Sequence, residues 1–231
     1  MQPGTVAAPP EGLWRIHRDP TALPQRPGPG EKPPNRFDDP RGDYRVRYLA
    51  TNRRGAFLEI LARFRRSPET EERLGGVTDV DDALEPALPA SVPRAFLRAL
   101  SAACAFPPAD AEFVDVADVS TQSQLGGHPT IRTALDEADL GTATNPAQLD
   151  EATIRLGGPR GRPITQAISR VVFEETTAAG IRYTSRIDAR EECWAVFEAT
   201  PLDFDEPEPV GLEDADLRDA AQQLLVSLAR P

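Results

Sequence analysis

The chain has 231 residues, which is enough for one globular domain with tails and a substantial hydrophobic core. Its formal net charge of −11 and pI near 4.8 disfavour a nucleic-acid-binding surface, because neutralising phosphates requires clustered Lys and Arg. No apolar stretch approaches the roughly 20 residues of a membrane span, and no basic segment followed by an apolar run opens the chain. We therefore expect a cytoplasmic protein without direct nucleic-acid or membrane partners.

The first 40 residues contain ten of the 24 prolines. This composition predicts an extended or irregular segment rather than a helix. Within it, Leu13 to Arg18 alternates apolar and basic residues and predicts one strand. His17 is expected to be a strand residue with a local hydrogen bond rather than a general base.

Residues 35 to 66 contain the strongest local pattern in the chain. Arg45 to Ala50 predicts a strand, and a helix that carries Glu59 should begin at Thr51 or Asn52. Apolar residues recur in that helix at the spacing of a buried stripe, which must pack against a sheet; they are Phe57, Ile60, Leu61 and Phe64.

Glu59 falls nearly opposite the apolar stripe. One interpretation is a solvated glutamate paired with Arg63, one helical turn further on. The other is a functional carboxylate, because the neighbouring residues Gly55, Ala56 and Ala62 are small enough to let a bulky group approach. The pattern alone favours the solvated glutamate.

The middle of the chain alternates between loops and short elements. Residues 67 to 91 are acidic and broken by Gly and Pro, which predicts a loop. Ser91 can cap a helix that runs to about Cys104. Residues 112 to 119 alternate as a strand does, and Gly126 to Pro129 predicts a turn before a helix from Thr130 to Asp139.

Residues 141 to 162 predict a loop that ends in a run of Gly and Arg, which is a weak signal for phosphate binding because it fits no established fingerprint. A helix should begin at Pro163 and stop at Gly180. The strand that follows places Ile181, Tyr183 and Ser185 on one face. A second strand, 193 to 197, is expected to pair with it.

The last part of the chain begins with an acidic, proline-containing stretch at 200 to 209, which predicts a linker, and ends in a helix over 212 to 228. We predict three regions: a disordered or extended tail at 1–12, a catalytic domain at 13–198, and an acidic linker with a C-terminal helix at 199–231. The two cysteines, Cys104 and Cys193, match no metal-binding spacing, so no metal site is predicted.

Five segments together resemble the RES domain family. They are Arg36-Phe37-Asp38, Tyr48-Leu49-Ala50, Ala56 to Phe64, Gly180 to Arg186, and Cys193 to Phe197. That family is named for an arginine, a glutamate and a serine, which here would be Arg36, Glu59 and Ser185. The resemblance implies an α+β fold like that of ADP-ribosyltransferases, with a mixed sheet core flanked by helices.

The resemblance also implies a reaction on NAD at the bond between nicotinamide and ribose. Glu59 would stabilise the positive charge that develops on the ribose, and Arg36 would bind the phosphates. Ser185 would orient the ribose or the nucleophile, and Tyr48 would stack on a ring or bond to the substrate. NAD would be a substrate rather than a cofactor, with inorganic phosphate or water as the second reactant.

Each residue also has a structural alternative. Arg36 could pair with Asp38 or Asp39, Ser185 could bond to its own backbone, and Tyr48 could be a core tyrosine. At the level of function, the first hypothesis is an NAD phosphorylase or glycohydrolase, the toxin of a pair with an Xre-like antitoxin. The rivals are a mono-ADP-ribosyltransferase that modifies a protein and a non-enzymatic interaction module. Assembly into a homo-oligomer is left open.

Overall fold

The computed structural model describes residues 2–26, 28, 31, 33–65, 90–141 and 147–228. These residues form eleven strands and seven α-helices, which confirms the predicted α+β class. The strands are β1 (Thr5–Ala7), β2 (Leu13–His17), β3 (Val46–Ala50), β4 (Ala90–Val92), β5 (Ser101–Phe106), β6 (Glu112–Asp115), β7 (Gly180–Thr184), β8 (Glu192–Phe197), β9 (Asp203–Phe204), β10 (Glu208–Pro209) and β11 (Val226–Leu228). The helices are α1 (Arg53–Leu61), α2 (Arg94–Arg98), α3 (Val119–Gly126), α4 (Pro129–Glu137), α5 (Glu151–Arg155), α6 (Gly158–Glu175) and α7 (Ala215–Gln223), and a 3₁₀ turn (Ala62–Phe64) follows α1.

Nine of the strands form one mixed sheet. Its order is β1-β6-β7-β8-β3-β2-β5-β10, and β9 also pairs with β5. The β6–β7 pair is parallel, and the other pairs in this sheet are antiparallel. The paired strands β3 and β8 therefore lie near the middle, with Tyr48 opposite Ala195. The strands β4 and β11 form a separate parallel pair.

Two hydrophobic clusters meet on one face of this sheet. Because side chains alternate along a strand, Val46, Tyr48 and Ala50 of β3 point to the same face. Val46 and Tyr48 belong to a cluster covered by α3 to α6, whereas Ala50 belongs to a cluster covered by α1, α2 and α7. A third cluster, which includes Leu49 and Trp194, occupies the opposite face. The two helical groups thus stand side by side above β3.

The predicted helix that carries Glu59 is present as α1. Asn52 caps it, since its side chain accepts a hydrogen bond from the Gly55 N–H at 2.7 Å. The predicted apolar stripe is incomplete, because Leu58 is fully buried while Ile60 is only partly buried. The reason is that α7 packs against α1 as a second neighbour beside the sheet.

The helix predicted from Ser91 to Cys104 is wrong at both ends, because Ser91 lies in β4 and α2 runs only from Arg94 to Arg98, with Pro93 before it. Residues 101–106 form β5, which pairs along its length with β2 and also with β9 and β10. Alanine favours a helix in isolation. Here Ala102, Ala103 and Ala105 are buried inside the sheet, so tertiary packing outweighs local propensity.

Several predicted boundaries also need correction. The strand predicted over 112–119 ends at Asp115, because Asp118 caps α3 by accepting from the Thr121 N–H. The loop predicted over 141–162 contains α5 and the first residues of α6, which begins at Gly158 rather than Pro163. The predicted loop at 67–91 lies outside the described residues up to position 89.

The C-terminal part is joined closely to the sheet. The segment predicted as a linker supplies β9 and β10, and the predicted helix ends at Gln223, after which β11 pairs with β4. The division into regions 1–12, 13–198 and 199–231 stays a prediction. None of the described helices combines the length and apolar character needed to cross a membrane.

Candidate active site

A cleft of about 570 Å³ opens where the two helical groups meet above β3. Tyr48 forms part of its floor, α1 forms one wall, and the start of α6 forms another. Glu59 is the one acidic side chain among the described residues that line it. Arginine supplies the other charged groups, namely Arg15, Arg36, Arg63, Arg162 and Arg186. A protein of net charge −11 therefore contains a cleft of the opposite sign.

Glu59 lines the cleft, and Ser185, which does not line it, contacts Glu59 from within the protein. The Ser185 hydroxyl donates to Glu59 Oε1 at 2.5 Å, and the Cys193 thiol approaches the same oxygen at 3.8 Å. Burial, together with the Glu59 charge, raises the pKa of Cys193 well above its usual value, so the thiol keeps its proton. In the described part of the chain, Oε2 has no hydrogen-bond donor and Arg63 makes no ion pair with Glu59. Both contacts are therefore made by Oε1, and the Glu59 side chain is otherwise exposed to the cleft.

Ser185 follows the last residue of β7 and is fully buried. Its N–H bonds to the Glu191 carbonyl at 2.9 Å, and its Oγ accepts from the Ile187 N–H at 3.0 Å. The predicted bond to the local backbone is therefore present together with the contact to Glu59. Because the single hydroxyl proton points to Glu59, Ser185 influences the cleft through that carboxylate.

A short turn carries Arg36, and Tyr48 holds that turn in place. The Tyr48 hydroxyl donates to Asp38 Oδ1 and accepts from the Phe37 N–H, both at 2.9 Å. Asp38 Oδ2 accepts from the backbone and side-chain nitrogens of Asn35, also at 2.9 Å. Burial, and next the Asp38 charge, raises the pKa of Tyr48 well above its usual value, so the phenol stays neutral. The hydroxyl of Tyr48 is engaged within the protein while its ring lines the cleft.

Arg36 pairs with neither of the carboxylates that follow it. Asp38 is engaged by Tyr48, and Asp39 forms an ion pair with Arg170 at 3.2 Å. The Arg36 guanidinium lies 4.9 Å from the centre of the Tyr183 ring and donates from Nη2 to the Ile154 carbonyl at 2.6 Å. Its Nε is buried without a hydrogen-bond partner among the described residues. Burial lowers the pKa of Arg36, because removing the guanidinium from water disfavours its charged form.

The start of α6 supplies a further wall of the cleft. Gly157, Gly158 and Arg162 all line it, so the Gly and Arg run does reach the site. A side chain at Gly157 would overlap the Arg186 guanidinium, and Gly158 has a φ of +72°, which favours glycine. Gly157 thus lets Arg186 lie against the end of the helix. A helix N-terminus and two guanidinium groups form an environment suited to an anion.

Two other arginines that line the cleft have structural contacts of their own. Arg15 donates to the carbonyls of Pro20 and Ala22 at 2.7 and 2.6 Å, and burial with the nearby Arg47 lowers its pKa to about 10. Arg63 lies 5.6 Å from the centre of the Phe96 ring. These two residues were missed by sequence reasoning, as were Trp14, Tyr183 and Arg186. Of these residues, only Tyr183 could have been found from the sequence pattern, because it shares a strand face with Ser185.

Of the two histidines, His17 lines the cleft and His128 does not. His17 lines the cleft and makes a local hydrogen bond with the Asp19 N–H at 3.2 Å. His128 caps α4 and contacts Glu175 at 2.7 Å. Within the ranges described above, no group of three or more His, Cys, Asp or Glu is arranged to hold a metal ion.

Comparison with known proteins gives one family. The model for the RES domain matches residues 12–219. No match was found among curated proteins or among solved structures. RES domains are in general NAD-using enzymes and are associated with toxin–antitoxin systems. Because the match covers most of the 231 residues, this protein belongs to the RES domain family.

Proposed function

We propose that this protein cleaves the bond between nicotinamide and ribose in NAD and transfers the ADP-ribosyl group to inorganic phosphate or water. The observation that carries the proposal is that Glu59, which accepts a hydrogen bond from the buried Ser185, is the acidic side chain of a cleft whose other charged side chains are arginines. The volume of about 570 Å³ lies within the range of roughly 300–1,000 Å³ found for small-molecule sites.

The proposed reaction begins with departure of nicotinamide. The electron pair of the glycosidic bond moves to the pyridinium nitrogen, so nicotinamide leaves as a neutral base and the ribose carbon becomes positive. Glu59, with Oε1 fixed by Ser185, presents its negative charge to that carbon. Phosphate then forms a bond to the carbon and gives ADP-ribose 1″-phosphate. Water would instead give ADP-ribose and release a proton.

The arginines explain how a dinucleotide would be bound. NAD carries two phosphate groups, and guanidinium is the side chain best suited to hold them. Arg36 has a buried nitrogen without a partner in the described structure, and Arg162 and Arg186 lie beside the start of α6. A positive cleft in an acidic protein would also concentrate an anionic substrate.

The decisive experiment is incubation of purified protein with NAD, with and without inorganic phosphate. We expect the concentration of free nicotinamide to rise with time. The second product should be ADP-ribose 1″-phosphate if phosphate is the acceptor and ADP-ribose if water is the acceptor. Labelled NAD that marked a protein band would favour a mono-ADP-ribosyltransferase instead. An intact NAD pool with folded protein at high concentration would overturn the proposal.

A toxin function is a further part of this proposal. Removal of NAD from the cytoplasm would stop growth, and an antitoxin of the Xre-like type would have to close the cleft or prevent substrate entry. We expect that expression of the protein arrests growth, that Glu59→Gln abolishes the arrest at equal protein level, and that the cognate partner restores growth.

The hydroxyl of Tyr48 offers a test of how the Arg36 turn is held. Tyr48→Phe is expected to raise KM for NAD about five- to thirtyfold with little change in kcat, since it removes two hydrogen bonds that each contribute about 1 kcal/mol. The matched control is Thr121→Val, because the Thr121 hydroxyl is also buried and accepts from the Gly4 N–H at 2.9 Å, and Thr121 does not line the cleft. Equal KM values in the two variants would contradict a role for Tyr48 in holding Arg36.

A further inference from the structure

A partly buried ionic cluster joins the first turn of α1 to the turn that follows Ser185. Asp188 and Glu191, in that turn, are 8% and 5% exposed. Arg54 of α1 forms ion pairs with both, at 3.4 Å to Asp188 and by a short contact to Glu191. Asn52, the residue that caps α1, donates to Glu191 Oε2 at 2.7 Å. The helix that carries Glu59 is therefore fastened directly to the turn that carries Ser185.

The backbone of the 185–191 turn is closed on itself. The Ser185 N–H bonds to the Glu191 carbonyl at 2.9 Å, and the Glu191 N–H bonds to the Asp188 carbonyl at 3.0 Å. A displacement of the side chains of Asp188 and Glu191 would consequently move the turn as a unit. Such a movement would change the 2.5 Å contact between Ser185 and Glu59.

Gly55 gives independent support, because its position leaves room for the Glu191 carboxylate. A Cβ at this position would lie 2.7 Å from Glu191 Oε2. Alanine has the higher helix propensity. The glycine in the first turn of α1 therefore lowers helix propensity but leaves the space that the Glu191 carboxylate occupies.

The C-terminal helix α7 completes the cluster. Asp219 and Gln223 of α7 both contact Arg54, and the Gln223 amide donates to Asp188 Oδ2 at 2.9 Å. The hydrogen bonds from Arg190 and from Gln223 hold the pKa of Asp188 well below its usual range, so Asp188 stays ionised. Arg54 is thus bound from two elements at once, the Ser185 turn and α7.

We propose that Arg54 is a positioning residue, which acts through Asp188 and Glu191 to hold the Ser185 hydroxyl on Glu59 and thereby sets the orientation of the reacting carboxylate. The inference rests on the proposed function, because the orientation of Glu59 is relevant to NAD cleavage. It gives the C-terminal helix a part in catalysis, although no residue of α7 lines the cleft.

Arg54→Met tests this role. We expect kcat for nicotinamide release to fall about tenfold with KM within about twofold, because the carboxylate is misaligned while the arginines of the cleft are unchanged. The control is Arg53→Met, since Arg53 is the adjacent residue, pairs with Asp214 at 2.8 Å, and has a side chain of similar exposure, 17% against 21%. Its kcat should stay within about twofold of the wild type.

A double variant separates positioning from a general structural effect. If Arg54 acts through Ser185, Arg54→Met should lower kcat by less than about twofold in a Ser185→Ala background. A full tenfold loss in that background would overturn the proposal. Should Arg54→Met fail to fold, Gly55→Ala is the second variant, because it keeps the helix and displaces Glu191. An unchanged kcat in Gly55→Ala would also overturn it.

Hydrogen exchange gives a measurement that does not depend on NAD cleavage. The amides of Ser185, Ile187 and Glu191 should exchange faster in Arg54→Met than in Arg53→Met, because the turn loses its attachment to α1. Equal amide exchange rates in the two variants would refute the proposal that Arg54 holds the turn in place. A wild-type protein that releases no nicotinamide would overturn the proposed function, and the exchange result would still decide the role of Arg54.

Discussion

Replacement of Glu59 with glutamine is expected to lower kcat for nicotinamide release by about 10²- to 10³-fold, which corresponds to about 3–4 kcal/mol of transition-state stabilisation. The amide keeps an oxygen that can accept from Ser185, so the side chain stays in place. What it loses is the negative charge that would face the positive ribose. KM for NAD should change by only a few-fold, because the arginines of the cleft remain. Initial rates over a range of NAD concentrations measure both constants.

The control for this change is Glu137→Gln, which removes the charge of an exposed glutamate on α4. That variant should retain the wild-type rate. Both variants should melt near the wild-type temperature, since neither removes buried apolar surface. A Glu59→Gln enzyme that kept more than about a third of its kcat would show that the carboxylate does not stabilise the transition state.

The second large effect is expected from Arg36→Met. Methionine keeps the length of the side chain and can still pack on the Tyr183 ring, but it cannot bind a phosphate. Loss of a poorly hydrated guanidinium that holds an anion costs about 3 kcal/mol, so kcat/KM should fall about 100-fold. Most of the loss should be in KM, because under the proposed function the phosphates of NAD would be bound in both the ground state and the transition state.

Arg132→Met provides a matched comparison. Arg132 also donates to a backbone carbonyl, that of Ala147 at 2.8 Å, but it does not line the cleft. Its kcat/KM should therefore equal that of the wild type. Arg36→Lys should be intermediate, because lysine restores the charge without the paired donors. A normal KM in Arg36→Met would mean that other arginines bind the phosphates.

The parts of the fold that could be predicted from the sequence are those in which local pattern and tertiary environment agree. The strand over residues 46–50, the helix α1 and the pair β7–β8 have both the right periodicity and the right neighbours. At 101–106 the two disagree, because a run of small residues that favours a helix is enclosed by strands on both sides. Only the tertiary structure decides such a case.

In the candidate site, too, some features follow from the local sequence and others depend on tertiary contacts. The resemblance to RES domains implied that Glu59 and Ser185 act at one site, but not that they are hydrogen-bonded to each other. The helical pattern favoured a solvated glutamate, and Glu59 is exposed, although the described residues show no ion pair with Arg63. The convergence of Arg162 and Arg186 on the cleft depends on where α6 begins, and the sequence placed that start at Pro163. The cluster around Arg54 joins residues more than 130 positions apart, and no local pattern encodes such a contact.

The two helical groups that stand side by side above β3 are packed independently of each other. Glu59 lies on a helix of one group, and Cys193 of β8 belongs to the hydrophobic cluster that the other group covers. The 3.8 Å contact between them crosses the boundary between the two clusters. Protein interiors are dense and transmit small displacements. Core substitutions far from the cleft can therefore change how Glu59 is positioned at the boundary between the two clusters. Repacking of either cluster would then be a way to change turnover without replacing a residue of the cleft.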